Sequence, residues 1–143
     1  MDKVYLAQTD TTVGFLSKNK EKLNKIKQRP INQPILIEVD SLDTLKKFVR
    51  VPKNFKKMVR RAKKTTFIYP NGNSFRVVKN EKHLEFLKKF KWMYSTSANK
   101  SGERFKEDWA RSVVDVIVED ERGFFEGKAS NIYKLKKRIK RIR

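Results

Sequence analysis

Two cations two residues apart, Lys27 and Arg29, have the types and spacing to bind an oxyanion. They close a predicted helix, which stops there because Pro30 forces residue 29 towards an extended conformation. At such a stop the two side chains could converge on one anion, or they could form a solvated helix end that the helix dipole favours. The pair is therefore one candidate anion site.

A run of small polar residues from Ser95 to Gly102 is the second candidate. It follows the apolar residues Trp92–Tyr94, which predict a buried strand. The strand is expected to end at Tyr94, because the small side chains that follow favour local hydrogen bonds to the backbone. Ligands of open α/β sheets bind at the carboxyl ends of strands, so the run could present ligand-binding groups. It could equally be an ordinary Ser/Asn turn before a helix.

A third polar cluster, Gln8–Thr12, follows a short strand predicted at residues 4–7. Gly14 comes shortly after it, at a point where the backbone could turn or approach a ligand closely. All three polar clusters thus stand at predicted ends of strands or helices.

Hydrophobic periodicity and capping residues predict the elements that must position these clusters. Helices are expected from Ser17 or Asn19 to Lys27, after Ser41, after Asn54, after Asn80, and from Phe105 to Ser112. Further strands are expected at residues 35–39, 65–69, 75–79, 113–118 and 132–135. The Asn71-Gly72 step predicts an antiparallel hairpin between residues 65–69 and 75–79. We therefore predict an α/β fold, a single domain over residues 1–143 with a mixed twisted sheet flanked by helices.

The charge of the chain suggests a polyanionic partner. Its 36 Lys and Arg against 16 Asp and Glu give a formal net charge of +20 and a pI near 10.3. Such a surplus attracts nucleic acid, although a lysine-rich proteome would produce the same composition. No cysteine is present, which excludes disulfides, thiolate catalysis and cysteine-based zinc sites. The sequence shows neither a signal-peptide core nor a membrane-spanning apolar run, so a cytoplasmic protein with no membrane partner is expected.

The predicted third helix concentrates part of this charge. Phe55, Met58, Val59 and Ala62 recur at helical spacing and are expected to face the core. The opposite face could be an RNA footprint or a merely solvated surface. Its basic residues are Lys53, Lys56, Lys57, Arg60, Arg61, Lys63 and Lys64.

Three further features have simple interpretations. His83 has no acidic or serine partner nearby in the sequence and is expected at the surface. The acidic residues Glu119–Glu121 are adjacent, so their side chains diverge and a solvated loop is expected rather than a metal site. The tail, residues 134–143, has seven basic residues in ten and could be an edge strand, a disordered arm or an RNA contact.

Six segments together resemble the YrdC-type family, the threonylcarbamoyl-AMP synthases. They are TDTTVGF, IKQRP, TTFIYP, SFRVV, STSANKSG and ASNIYKL, and they occur in the family's order and roughly its spacing. STSANKSG and KQRP are the specific ones. The resemblance covers essentially the whole chain and implies a YrdC-like fold.

The resemblance implies the family's reaction, in which threonine, bicarbonate and ATP give threonylcarbamoyl-AMP and pyrophosphate. The product feeds the synthesis of threonylcarbamoyladenosine in tRNA, so other proteins of that pathway would be candidate partners. The threonine amine captures carbon dioxide as a carbamate, which attacks the α-phosphate. This chemistry requires positioning and positive charge, from fixed cations and magnesium, rather than a strong base.

The resemblance also implies roles for individual residues. Lys27 and Arg29 match the family's lysine-x-arginine signature and would act catalytically on phosphate and carbamate charge, Arg29 through a bidentate contact. No side chain is assigned as a metal ligand. The implied nucleotide-binding residues are Lys27, Arg29, Ser95, Ser97, Asn99 and Arg76, and the implied threonine-binding residues are Thr9, Thr11, Thr66 and Ser130. Arg143 matches an arginine near the family's carboxyl end only loosely.

The chain departs from the family's pattern at several positions. Gln8 replaces a usual proline, Val13 a usual tyrosine, and Lys63-Lys64 a usual glycine-proline pair. The loop between Gly14 and the helix is also shorter than usual. Because the tyrosine would supply an aromatic wall and a hydroxyl to the threonine pocket, a second hypothesis stands beside the first. The chain could be a non-catalytic protein that binds double-stranded RNA or serves tRNA or rRNA maturation.

Overall fold

A computed structural model describes residues 2–136 and 138–143. Met1, the first residue of the predicted domain, and Lys137, within the predicted basic tail, lie outside the described residues. The chain forms two compact units, Met1–Ile35 with Met93–Ala129 and Leu36–Trp92 with Ser130–Arg143. Within the described residues, no helix combines the length and apolar character needed to cross a bilayer.

The described chain alternates strands and helices, so the predicted α/β class with a mixed sheet is confirmed. The strands are β1 (Tyr5–Gln8), β2 (Val13–Ser17), β3 (Ile37–Val39), β4 (Thr65–Ile68), β5 (Ser74–Val77), β6 (Trp92–Ser97), β7 (Val116–Val118), β8 (Asn131–Leu135) and β9 (Ile139–Arg141). The α-helices are α1 (Lys20–Ile26), α2 (Leu42–Lys46), α3 (Lys56–Arg61), α4 (Glu81–Leu87) and α5 (Glu107–Ser112), and a short 3-10 helix spans Lys53–Phe55.

In the first unit the strand order is β7-β1-β2-β6. β1 pairs antiparallel with β2 and parallel with β7, and β2 pairs antiparallel with β6. Leu6, Phe15 and Leu23 are fully buried in its core, where the ring of Phe15 meets the edge of Trp109. The helix predicted around Trp109 is α5, as expected.

In this unit the sequence missed one strand, and its prediction of where another strand ends was wrong. Residues 13–17 form a strand that the sequence did not indicate, and β6 continues to Ser97 rather than ending at Tyr94. The reason is mutual pairing, since Phe15 lies opposite Thr96 and Gly14 opposite Ser97. Gly14 allows the backbones of β2 and β6 to approach each other closely. A Cβ at this position would lie only 3.2 Å from the carbonyl oxygen of Thr96.

Residues 113–118 were predicted to form a buried strand, and the predicted burial was wrong. β7 is at the edge of the first unit's strand order, and Ile117 is 38% exposed. The adjacent acidic residues lie in a loop, as predicted, where Glu119 pairs with Arg111 and Asp120 with Arg122.

In the second unit the strand order is β3-β5-β4-β8-β9. β4 and β5 form the predicted antiparallel hairpin, and β3 with β5 and β4 with β8 are parallel pairs. Gly72 adopts the left-handed φ of +87° that the hairpin turn requires. Of the three alternatives for the tail, the structure shows an edge strand, β9, paired antiparallel with β8.

The third helix differs from its prediction. Asn54 is not its cap; residues Lys53–Phe55 form a 3-10 turn, and α3 begins after Phe55 without a side-chain capping bond. A 3-10 turn has three residues per turn instead of 3.6, which changes the phase of the apolar face. Val59 is therefore buried while Met58, expected in the core, is 40% exposed.

The predicted surface position of His83 was wrong. Its side chain is 1% exposed and its Nε2 bonds with the carboxylate of Glu38, on a strand 45 residues away in sequence. The cap of its helix was predicted correctly, since Asn80 Oδ1 accepts a hydrogen bond from the His83 N–H.

Candidate functional site

The end of α1 places the two candidate cations. Asn19 Oδ1 caps the helix by accepting a hydrogen bond from Lys22 N at 3.1 Å, and the helix closes at Lys27. Gln28 follows with a left-handed φ of 55°, and the N–H of Arg29 then donates to Asn24 O at 2.9 Å. This turn, ahead of Pro30, reverses the chain direction locally and fixes both side chains to one end of the helix.

The ammonium of Lys27 is buried against the end of β6. Its Nζ donates to the carbonyl oxygens of Ser97, at 2.8 Å, and Asn99. Two side-chain oxygens lie further away, Ser97 Oγ at 3.5 Å and Asn99 Oδ1 at 3.3 Å. The structure therefore brings together Lys27, Ser97 and Asn99, which the sequence selected separately.

Burial changes the acidity of Lys27. The side chain is 5% exposed, and its pKa falls from 10.5 to about 8, mainly because desolvation disfavours the charged form and further because Arg29 is nearby. Lys27 is therefore expected to lose its proton at a lower pH than an ordinary surface lysine.

Arg29 keeps unused donors at the same end of the helix. Its Nη2 donates to Thr96 Oγ1 at 3.0 Å, and its Nε is buried without a hydrogen-bond partner in the described part of the chain. Partial burial lowers the pKa of its guanidinium. A buried N–H that lacks a partner carries a desolvation cost, which an oxyanion on this side of the guanidinium would remove. Sequence reasoning did not assign Thr96 to the site, although its neighbours on β6 were candidates.

The polar run after β6 is tied back to α1. Ser101 Oγ donates to Lys27 O at 3.3 Å, and Asn99 Nδ2 donates to Glu103 O at 2.7 Å. Gly102 has a left-handed φ of +81°, which its lack of a Cβ permits. Ser95 is buried within β6, opposite Leu16. The run is therefore an ordered loop whose backbone oxygens face the Lys27 ammonium.

The threonine cluster after β1 forms a loop that is held by hydrogen bonds within the loop itself. Thr9 Oγ1 donates to Thr12 O at 2.6 Å and accepts from Thr11 N at 3.2 Å, and the Thr9 and Thr11 side chains are buried. Gly127 packs so closely against this loop that a Cβ on Gly127 would lie 1.8 Å from Thr11 O. The hydroxyl of Thr9 is thus held by its own loop.

Two residues outside the predicted set hold the same loop. Gln8 Oε1 accepts a hydrogen bond from Phe125 N at 2.9 Å, and Arg122 donates to the carbonyl oxygens of Gln8 and Thr9. Gln8 stands where the resemblance implies proline, and here its side chain anchors the loop that contains Phe125. No local sequence signal identified the role of Arg122 here, since the two carbonyls that it contacts in this loop lie more than a hundred residues away.

A cavity of about 190 Å³ lies beside Val13. Its wall includes Ser97, Asn99, Phe105 and Glu126. Val13 lines the cavity and is itself buried. The departure from the family's tyrosine therefore corresponds to open space next to two candidate residues.

In the second unit, three other predicted residues form one buried network. Arg76 Nη1 donates to Thr66 Oγ1 at 3.2 Å, and Thr66 Oγ1 and Ser130 Oγ are 2.9 Å apart. Arg143 continues the network by donating from Nε to Ser130 O at 2.8 Å. Burial, and then the nearby charge of Arg76, lowers the pKa of Arg143.

Glu38 neutralises the cation in this network. Its Oε2 accepts from Arg76 Nη2 at 2.9 Å, and its Oε1 contacts His83 Nε2. All three side chains are almost completely buried. One sequence signal could have found Glu38, because it is a lone charge between the apolar residues Ile37 and Val39 of a buried strand.

The predicted RNA-binding residues are all exposed, as a footprint requires, but they do not share one helix. They extend from the 3-10 turn through α3 to the turn before β4. This basic segment comprises Lys53, Lys56, Lys57, Arg60, Arg61, Lys63 and Lys64.

Comparison with known proteins identifies a matching family and similar folds. The sequence model of the Sua5/YciO/YrdC family, described as telomere recombination, matches residues 1–143. No curated protein sequence matches. Sua5 of P. abyssi, solved in complex with L-threonine, is 18% identical with a TM-score of 0.83, covering 99% of this chain and 50% of its own. The chain thus spans about half the length of that protein.

Two further solved structures are similar. YciO of E. coli is 19% identical with a TM-score of 0.79, over 99% of this chain and 82% of its own. Full-length HypF in its phosphate- and nucleotide-bound form is 13% identical with a TM-score of 0.73, over 99% of this chain and 26% of its own. At these identities the likeness is one of fold.

Proposed function

The chain belongs to the Sua5/YciO/YrdC family, and on that premise we propose that it is an L-threonylcarbamoyladenylate synthase. It would make threonylcarbamoyl-AMP and pyrophosphate from L-threonine, bicarbonate and ATP. The observation that carries the proposal is the cluster at the end of α1, where Lys27 and Arg29 stand beside Ser97 and Thr96. A cytoplasmic location and a role in tRNA modification belong to the same proposal.

The reaction needs charge stabilisation more than proton transfer. Bicarbonate takes up a proton and loses water to give carbon dioxide; the threonine amine adds to the carbon dioxide, loses a proton and becomes a carbamate anion. A carbamate oxygen then forms a bond to the α-phosphorus of ATP, and the bond to the bridging oxygen breaks to release pyrophosphate. Fixed cations lower the barrier because negative charge on the phosphate oxygens must be held in place during the transfer.

Arg29 and Lys27 would divide this work. Arg29 has an unpartnered buried Nε and only one hydrogen bond from Nη2, so it can take a phosphate oxygen pair in a bidentate contact. Lys27 uses two donors on the carbonyls of Ser97 and Asn99. Its third donor would meet a phosphate oxygen in place of the two longer contacts, with Asn99 Oδ1 at 3.3 Å and Ser97 Oγ at 3.5 Å.

The oxygen-rich end of β6 would complete the nucleotide site. Ser97 Oγ and Asn99 would donate to phosphate or carboxylate oxygens, with Ser95 behind them in the strand. Magnesium would arrive as part of the ATP complex. A protein-held metal does not fit here, because the nearest side-chain oxygens, Ser97 Oγ and Asn99 Oδ1, already lie against the Lys27 ammonium. Bound to ATP, magnesium neutralises charge on the phosphates.

The amino-acid site is proposed from the family resemblance and from the P. abyssi Sua5 complex with L-threonine. The resemblance assigns Thr9 and Thr11 to it, and also Thr66 and Ser130. Arg76 would act by holding Thr66, since one of its nitrogens already donates to that hydroxyl and another to Glu38.

A pyrophosphate-release assay tests the synthase proposal. The purified protein is incubated with magnesium-ATP, bicarbonate and L-threonine, and we expect release that requires threonine. Lys27→Ala should reduce the rate by at least about 100-fold, because one fixed donor to transition-state charge contributes on that scale. Lys25→Ala removes an exposed lysine of the same helix and should leave the rate unchanged. Release that continues without threonine, or in the Lys27 variant, would contradict the proposal.

RNA binding is the second candidate function, and the exposed basic segment favours it. Seven cations lie within twelve residues and all are exposed to solvent. Double-stranded RNA presents closely spaced phosphates, so such a segment would bind it through counterion release. The two candidate functions are compatible, because the product of the synthase reaction is used on tRNA.

A further inference from the structure

The second unit contains a groove whose apolar floor neither candidate function uses. It is lined by α2, the segment that follows α2, and α3, and has a volume of about 370 Å³, within the usual range of ligand sites. Its floor is aliphatic and is formed by Leu42, Val49, Val51 and Val59. We call it the basic groove, because its rim consists of Lys46, Arg50, Lys56 and Arg60.

The spacing of these residues along the chain produces the groove. Val49 N–H donates to Leu45 O, so the helical turn persists beyond α2 as far as Val49, and Arg50 follows it directly. Lys56 and Arg60 are one turn apart on α3, with the buried Val59 between them. Two pairs of cations therefore border one apolar floor.

The rim charges are uncompensated. None of the four rim cations forms an ion pair with a carboxylate of the described residues, and all four are exposed. No acidic residue of the described chain lines the groove. A surface that combines an apolar floor with one sign of charge is complementary to a partner with apolar and acidic groups side by side.

We propose that the basic groove binds an acidic amphipathic helix of another protein. Aliphatic side chains of that helix, one turn apart, would occupy the floor, and carboxylates beside them would pair with the rim. Helix-in-groove docking suits a site between two helices, whereas strand addition would need an open sheet edge.

The floor argues for a peptide rather than RNA. RNA binding that does not depend on duplex shape relies on aromatic side chains for base stacking, and none in the described chain lines the groove. Phosphate contacts need no apolar floor, and the exposed cations outside the groove, such as Lys57 and Arg61, would serve them equally well. The combination of four rim cations and an aliphatic floor suits a ligand that carries apolar and acidic groups side by side, as an acidic amphipathic helix does.

Fluorescence anisotropy with a labelled peptide tests the proposal. The probe is a 16-residue helix-forming peptide with leucine at positions i, i+3, i+4 and i+7, glutamate beside them and alanine elsewhere, compared with a scrambled peptide of the same composition. We expect the patterned peptide to bind the full-length protein at least about ten-fold more tightly, since only it presents leucine on one face.

Matched charge variants locate the binding. Arg50→Glu/Lys56→Glu reverses two rim cations, and Lys47→Glu/Lys57→Glu reverses two exposed cations that do not line the groove. Both double variants have the same net charge. We expect the rim variant to bind at least about ten-fold more weakly and the off-rim variant less than about two-fold more weakly, because close charge pairs matter more than distant ones at 0.15 M salt. Leu42→Gln, on the partly exposed part of the floor, should also weaken binding without unfolding the chain.

Several outcomes would overturn the proposal. Equal weakening in both double variants would show attraction by overall charge alone, and equal binding of the scrambled peptide would show that the floor plays no part. If a single-stranded RNA bound the rim variant more weakly while the peptide did not, the groove would be an RNA site. Thermal melting and circular dichroism distinguish a variant that cannot bind from one that does not fold.

Discussion

The ammonium of Lys27 lies 2.8 Å from the carbonyl oxygen of Ser97, a residue seventy positions later in the chain. This contact joins the end of a helix to the end of a strand and buries a cation at their junction. Burial at this junction disfavours the charged form, and Arg29 is nearby, so the pKa of Lys27 falls to about 8.

The first prediction concerns pH. If the positive charge of Lys27 is needed for phosphate transfer, kcat/KM should fall as the pH rises through about 8, because the ammonium loses its proton above that value. Lys27→Arg keeps a charge that does not titrate in this range, so its activity, although lower, should lack this alkaline limb. The measurement is pyrophosphate release between about pH 6.5 and 9.5, on either side of that pKa, with Lys25→Arg as the control. An unchanged limb in Lys27→Arg would assign it to another group.

The second prediction separates Arg29 from its neighbour Thr96. Arg29→Lys replaces the planar guanidinium, which can make two parallel hydrogen bonds to one phosphate, with a single ammonium. The KM for ATP should therefore rise at least about ten-fold. Thr96→Val removes only the hydroxyl that accepts from Arg29 Nη2, so the guanidinium keeps its charge and its free donors. A smaller rise, about two- to five-fold, is expected there, because one neutral hydrogen bond is a modest interaction. If both variants bind ATP normally by calorimetry, Arg29 is not a nucleotide ligand.

The third prediction concerns stability. Glu38→Ala leaves Arg76 and His83 buried without their shared carboxylate, and removing one partner of a buried ion pair costs about 3–5 kcal/mol. For a domain of this size we expect Tm to fall by roughly 10 °C. Glu85→Ala, an exposed glutamate on α4, should change Tm by less than about 2 °C. Thermal melting followed by circular dichroism measures both, and equal shifts would mean that the buried network contributes little.

The fourth prediction concerns the cavity beside Val13. Val13→Tyr would place an aromatic ring and a hydroxyl in this space of about 190 Å³, as the family's usual residue does. We expect KM for threonine to fall several-fold, because the ring would reduce the open volume around the substrate. Val13→Ala enlarges the cavity and should raise KM. Steady-state kinetics with threonine as the varied substrate measure both effects, and a higher KM in the tyrosine variant would place the amino acid elsewhere.

The fifth prediction concerns RNA. Binding of a short RNA duplex should weaken steeply with salt, and Lys57→Gln/Arg61→Gln should reduce the slope of log K against log salt by about 0.9 for each phosphate that is no longer neutralised. Lys88→Gln/Lys89→Gln removes two exposed cations beyond the end of α4 and should leave the slope unchanged. A slope that changes equally in both variants would indicate non-specific attraction.

Sequence rules for helix caps and turns predicted much of the fold, because the interactions that form caps and turns span only a few residues. The caps at Asn19, Ser41 and Asn80 each join a side chain to a backbone N–H three residues later. Ser41 and Asn80 were recognised from the sequence, and Asn19 was one of two alternatives, the other being Ser17. The Asn71-Gly72 turn was recognised for the same reason. The rules failed where pairing is distant: β2 and the end of β6 stabilise each other across about eighty residues, which no short pattern reveals.

The buried network shows the same limit. His83 has no partner nearby in the sequence, so a surface position was a reasonable expectation, yet Glu38 lies against it in the structure. Propensities also failed at Asn54, where a 3-10 turn replaced the expected cap and changed which side chains of α3 face inwards.

The sequence by itself identified the α/β class, the family and the cations at the end of α1, because motif order and residue type are local properties. Only the tertiary structure decided what those cations contact. It placed Lys27 against the carbonyls of Ser97 and Asn99, left Arg29 Nε without a partner in the described chain, and committed Arg76 to Glu38. The physical reason is that the partners and the desolvation of a charge depend on segments far apart in sequence, which meet only when the chain folds.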